Sequence, residues 1–174
     1  LTRLPLTIAG NMIDFRSILR PSLTRSSFPA SSKKRVLEQA AEVIATGSSD
    51  LISRQLFDQL MARERLGSTG LGEGVALPHC RLDGTRSIIG AFLHLASPID
   101  FDSDDGEPVD LIFVLVVPSE AEGAHLDVLK NVARVLGDPT SRERLRAPTD
   151  DTDLYSNLLD LLERATGLGE RSES

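Results

Sequence analysis

Tryptophan is absent from this 174-residue chain, tyrosine occurs once, and the aromatics together make up 4%. So few ring faces exclude a platform on which successive bases stack. Positive charge is also scarce: 19 Lys and Arg stand against 26 Asp and Glu, giving a formal net charge of −7 and a pI near 5.0. Nucleic-acid backbones are held by excess Lys and Arg, and the basic run "SKKR" at 32–35 does not reverse the balance. The acidic excess favours solubility.

Cysteine occurs once, as Cys80, so no internal disulfide can form. A reduced, cytoplasmic protein is expected. The longest apolar run, "LIFVLVV" at 111–117, is far short of the roughly 20 residues that a bilayer requires, so no membrane insertion is expected. The opening "LTRLPLTIAG" is weakly apolar and is followed at once by the polar "NMIDFRS", a poor signal peptide. Met12 is a candidate natural start. Residues 1–11 are therefore read as an upstream or expression-derived segment, 12–166 as one domain and 167–174 as a loose tail.

What is present has the periodicity of a mixed fold. Val36, Leu37, Ala40, Val43 and Ile44 recur on one helix face after Ser32 and before Gly47. Leu56, Phe57, Leu60 and Met61 form a second stripe, with Ser53 as its expected N-cap and Gly67 past its end. "GVALPHC" (74–80) starts as a short buried strand that Pro78 is expected to stop. Strands are expected at 87–98 and 109–118. Helices are expected at 122–136, from Pro139 onward, and from about Asp153 to Ala165. Strands interleaved with helices predict an α/β single-domain sandwich, with a mixed central β-sheet flanked by helices.

The stretch "GSTGLGEG" (67–74) holds four glycines in eight residues and is expected to be a tight loop with exposed backbone amides. Successive N–H groups in such a turn make a concavity for an anion, which marks Ser68, Thr69 and Gly70 as candidate phosphate-binding residues. His79 follows that loop and Pro78, a setting that presents a side chain; the alternative is an idle surface imidazole. His125 lies in line with Leu129, Val132 and Leu136 and so points inward. It is either a core histidine bonded to a carbonyl or a site group at a helix N-terminus, where the dipole disfavours imidazolium and welcomes an anion. Arg63 falls beneath the stripe of Leu56 and Leu60, either snorkelling to water or offering a phosphate fork. Arg65 and Arg81 are weaker candidates because each can face solvent. His94, mid-strand with Ile88 and Phe92, reads as structural or edge-exposed.

Several chemistries fail on spacing. Cys80 beside His79 suggests a cysteine nucleophile, but adjacent residues on an extended backbone point to opposite sides. The three histidines lack the short spacings that place two metal ligands on one helix face or turn. The glycine loop lacks the lysine of a nucleotide-binding P-loop.

"RERLGSTGLGEGVALPH" (63–79) with "HLDVLKNVARVL" (125–136) resembles the enzyme IIA domain of the phosphoenolpyruvate-dependent phosphotransferase system, fructose and mannitol class. "PIDFDSDDGEPVDLIFVLVVP" and "RERLRAPTDDTDLY" are most similar to its nitrogen-regulatory branch, and the resemblance runs from Ile13 to Ala165. It implies that His79 accepts a phosphoryl group through Nε2 from a phosphohistidine on a small histidine-containing phosphocarrier protein. It also implies that His125 is a second active-site histidine and Arg63 the active-site arginine. Cys80 stands where the family usually has glycine, which implies a changed rim for partner contact. No cofactor, nucleotide or metal is implied. The onward partner is a regulatory protein target or, in the runner-up reading, the permease component of a sugar system. A binding module without phosphate transfer and, last, a hydrolase using Cys80 are the rivals from other classes.

Overall fold

The apolar run that follows Asp110 becomes the strand around which the molecule is arranged. The computed structural model describes residues 13–121 and 123–166, and the expectations for 1–11 and 167–174 lie outside the described residues. In chain order the elements are α1 (Phe15–Ile18), β1 (Leu19–Phe28), α2 (Lys33–Thr46), α3 (Ser53–Leu66), β2 (Gly70–Gly72), β3 (Val75–Ala76), β4 (His79–Leu82), β5 (Ile89–Ile99), β6 (Val109–Pro118), α4 (Ala124–Leu136), α5 (Pro139–Arg146) and α6 (Asp151–Ala165). The strands form one mixed sheet in the order β1-β5-β6-β3-β2, with β4 also paired to β6. β5 runs antiparallel to β6, while β1 is parallel to β5 and both β3 and β4 are parallel to β6.

The period-2 alternation of β5 explains the layers. Ala91, Leu93 and Leu95 face α2 and α3, packing with Leu37, Ile44, Leu56 and Leu60. Phe92 faces the other way, with Phe113, Val132 and Leu158. Each such fully buried side chain contributes about 1.5–3 kcal/mol of hydrophobic stabilisation. Capping sets the helix starts: Ser32 accepts from the Arg35 amide (3.1 Å), and Asp138 and Asp150 accept from the Ser141 and Asp153 amides. Ser53 is not a cap. It is the first residue of α3, and Ile52 precedes it without a side-chain bond.

Two local features differ from expectation. The glycine stretch is partly sheet: Gly72 pairs with Val75, so Glu73 and Gly74 make a two-residue hairpin turn between β2 and β3. Both have positive φ, 59° and 81°, the requirement of the turn whose twist matches flanking strands. Gly70 is obligatory for another reason, since a Cβ there would collide with Ser103 Oγ. The second difference is at Pro78, which interrupts the strand without ending it. β3 and β4 lie one after the other along β6, and the Leu115 amide donates to the Pro78 carbonyl (2.9 Å) between them. His79 therefore opens a strand and does not sit in a loop.

Candidate functional site

Alternation along β4 sorts its side chains. Cys80 and Leu82 join the core beneath α2 and α3. His79 and Arg81 take the opposite face by the strand period, the face on which Leu115 and Val117 pack with α4. His125, in the first turn of α4, meets them there. Arg63 enters from the last turn of α3, which packs against β4. These four side chains line a cavity of about 380 Å³ floored by Leu115 and Val117. No carboxylate is among the described residues that line it.

The acceptor candidate is oriented by the backbone. His79 Nδ1 lies 2.9 Å from the Leu77 carbonyl oxygen. A carbonyl can only accept, so Nδ1 carries a proton, and in the neutral ring Nε2 keeps its lone pair. The sequence names no such partner, because the bond uses a main-chain atom two residues back.

Both arginines are held by one arm. Arg63 Nη1 donates to the Gly67 carbonyl (2.9 Å) at the end of its helix, and Arg81 Nη1 donates to the Ser119 carbonyl (3.1 Å). Arg81 Nη2 also reaches His125 Nε2 at 3.4 Å, which makes Nε2 the acceptor. Burial, then the charge of Arg81, then His79 hold the His125 pKa below the ordinary histidine value, so the ring is neutral at pH 7. Its Nδ1 is buried without a hydrogen-bond partner. Arg81, set aside in the sequence because it could face solvent, is therefore part of the cluster; its signal was the i, i+2 spacing from His79.

Cys80 is buried, and desolvation pushes its thiol up to about 12. A thiol that stays protonated is no nucleophile, which removes the hydrolase reading. Ser68 and Thr69 line a second hollow of about 310 Å³ with His79 and Arg63. Their polar atoms are partly committed. The Thr69 amide donates to Glu64 Oε1 (3.2 Å), the Gly70 amide to Ser68 Oγ (3.0 Å), and Ser68 Oγ–H to the Phe101 carbonyl (2.8 Å). Glu64 was not singled out in the sequence, where "RERL" reads as a solvated helix end. It is buried, paired with Lys33 Nζ at 2.9 Å and bonded to the Thr69 hydroxyl. His94 is structural: its Nε2 lies 3.4 Å from Asp110 Oδ2.

Such a fold, with two histidines and two arginines around one hollow, belongs to a recognisable class. Residues 17–160 match the sequence model of the phosphoenolpyruvate-dependent sugar phosphotransferase system EIIA 2 domain, and the chain belongs to that family. Within it the chain is similar to nitrogen regulatory proteins. It is 46% identical over 150 residues to that of Pseudomonas aeruginosa, spanning 86% of this chain and 97% of the relative. With the nitrogen regulatory protein of Escherichia coli K12 the identity is 41% over 149 residues, 85% of this chain and 91% of the relative. The crystal structure of nitrogen regulatory protein IIA-Ntr from Neisseria meningitidis aligns at a TM-score of 0.76 and 40% identity, covering 83% of this chain and 98% of that one. Mannitol IIA of E. coli shares the fold at 21% identity and a TM-score of 0.62, over 87% of this chain and 99% of its own.

Proposed function

We propose that this chain is a cytoplasmic phosphoryl carrier that accepts phosphate on His79 Nε2 from the phosphohistidine of a small phosphocarrier protein, with a regulatory output. The observation that carries the reading is the His79 ring, held with Nε2 free beside a cavity that has two arginines and, among the described residues, no carboxylate. A dianionic phosphoryl group supplies the missing negative charge. Nε2 attacks phosphorus in line, the donor's N–P bond breaks, and the donor ring recovers that electron pair. Little other covalent work remains, so the site contributes position and charge stabilisation. Arg63 offers a fixed cationic fork, and neutral His125, whose Nε2 accepts from Arg81, orients that second guanidinium beside the transferred group without carrying the group itself. Likeness to nitrogen regulatory proteins favours a regulatory target over a sugar permease as the next partner.

Mixing the protein with phosphoenolpyruvate, enzyme I and the phosphocarrier tests this. The expected product is a stoichiometric, acid-labile and base-stable phosphate. Unlabelled protein alongside a fully active donor chain would support a binding module instead.

A further inference from the structure

Glu64 sits where a carboxylate is least welcome. It is at the C-terminal end of α3, against the negative end of the helix dipole, and its side chain is 3% exposed. Three donors converge on it: Lys33 Nζ from the start of α2, the Thr69 amide and the Thr69 hydroxyl. Lys33 is itself held over the Phe101 ring, 4.9 Å from its centre. The consequence lies further on. The Thr69 carbonyl accepts from the Leu77 amide (3.0 Å), and the Leu77 carbonyl accepts from His79 Nδ1 (2.9 Å). Two backbone residues, Thr69 and Leu77, thus lie between a buried ion pair and the imidazole, each held by hydrogen bonds on both its N–H and its C=O.

We propose that Glu64 is a positioning residue for His79: by clamping both donors of Thr69 it anchors Leu77 through its amide, and the Leu77 carbonyl holds the ring in the tautomer that leaves Nε2 free. The inference rests on the carrier reading for its importance, but its structural content does not. The coupling is positional: loosening Thr69 at Glu64 frees the residue that anchors Leu77, and so reaches the ring although no atom of Glu64 touches it.

The test reads the ring directly. Long-range ¹H–¹⁵N NMR of the imidazoles assigns the tautomer of His79 in the unphosphorylated full chain, and single-turnover transfer from the phosphorylated carrier measures the rate. The parent protein is expected to show the Nδ1–H form alone. Thr69→Val removes the hydroxyl at constant shape, and Glu64→Gln removes the charge. Both are expected to give a mixture of tautomers and a transfer rate lower by about tenfold, the scale of one lost hydrogen bond. Thr69→Ser keeps the hydroxyl and is expected to restore the single tautomer. The proposal is overturned if the parent ring carries its proton on Nε2, a result that needs no variant. It is also overturned if folded Thr69→Val and Glu64→Gln keep the parent tautomer, whatever their rates. A parent that shows the expected tautomers yet takes no phosphate would instead defeat the carrier reading and leave the positioning intact.

Discussion

The two ends of β6 carry the same kinds of side chain and differ in one component. Near its start, His94 and Arg146 converge on Asp110, with Arg146 Nη2 2.7 Å and His94 Nε2 3.4 Å from its carboxylate. Burial would raise the Asp110 pKa, but hydrogen bonds from His94 and Arg146, together with their charges, hold it below the usual carboxylate range. Near its end, His79, Arg81, His125 and Arg63 gather around a hollow that, among the described residues, no carboxylate lines. A histidine and an arginine are structural where the anion is built in. Where none is found among the described residues, the proposed phosphoryl group is the anion that completes the cluster.

Exchanging the roles of the two ends is the severest way to break that contrast. His79→Ala is expected to abolish phosphate incorporation with the fold retained, while His94→Ala keeps full incorporation; intact-protein mass spectrometry after phosphorylation reads both. Phosphate on the His79→Ala chain would mean that the open end is not the acceptor site. Next in size is Arg63, whose charge-assisted bond to the phosphoryl group is worth about 1.5–3 kcal/mol. Arg63→Ala is therefore expected to slow single-turnover transfer roughly ten- to a hundredfold, with Arg63→Lys between it and the parent.

At the closed end the effect moves from rate to stability. Arg146→Ala is expected to cost about 1–2 kcal/mol in urea unfolding, a range that allows for the partial exposure of Arg146, and to leave transfer unchanged. Because the folded pKa of Asp110 is depressed, its contribution is present above the ordinary carboxylate value of about 3.9 and fades as pH falls through the folded one. The gap between parent and variant should close accordingly in acid. The smallest effect is at Arg81, whose charge helps to depress His125. Arg81→Ala should move the His125 titration midpoint up towards the ordinary histidine value, as followed by NMR. An unchanged midpoint would mean that burial and His79 keep that ring neutral without Arg81.

How much of this was legible depended on periodicity. β5 and β6 were readable almost to the residue because alternation and a continuous apolar run are strong local signals. β1 was not, since "LRPSLTRSSF" has Pro21, two arginines and an irregular burial pattern with register shifts against β5. An edge strand tolerates these and hides its alternation. His79, His125 and Arg63 were found from pattern and resemblance. Arg81 and Glu64 were not, because a charged side chain on a short strand or helix end looks solvated until tertiary contacts are known. The His79 tautomer was out of reach altogether, being set by a carbonyl that carries no sequence identity.

That carbonyl has one further consequence. A carboxylate behind the ring, of the kind His94 meets in Asp110, would place a full negative charge against Nδ1–H and make the opposite nitrogen more basic. A more basic nitrogen grips phosphorus harder and is a poorer leaving group. The Leu77 carbonyl steers the ring with only a dipole, so the phosphoryl adduct proposed for His79 is not sunk into a deep well. In the carrier role proposed for this chain, a neutral anchor keeps the bond exchangeable in both directions.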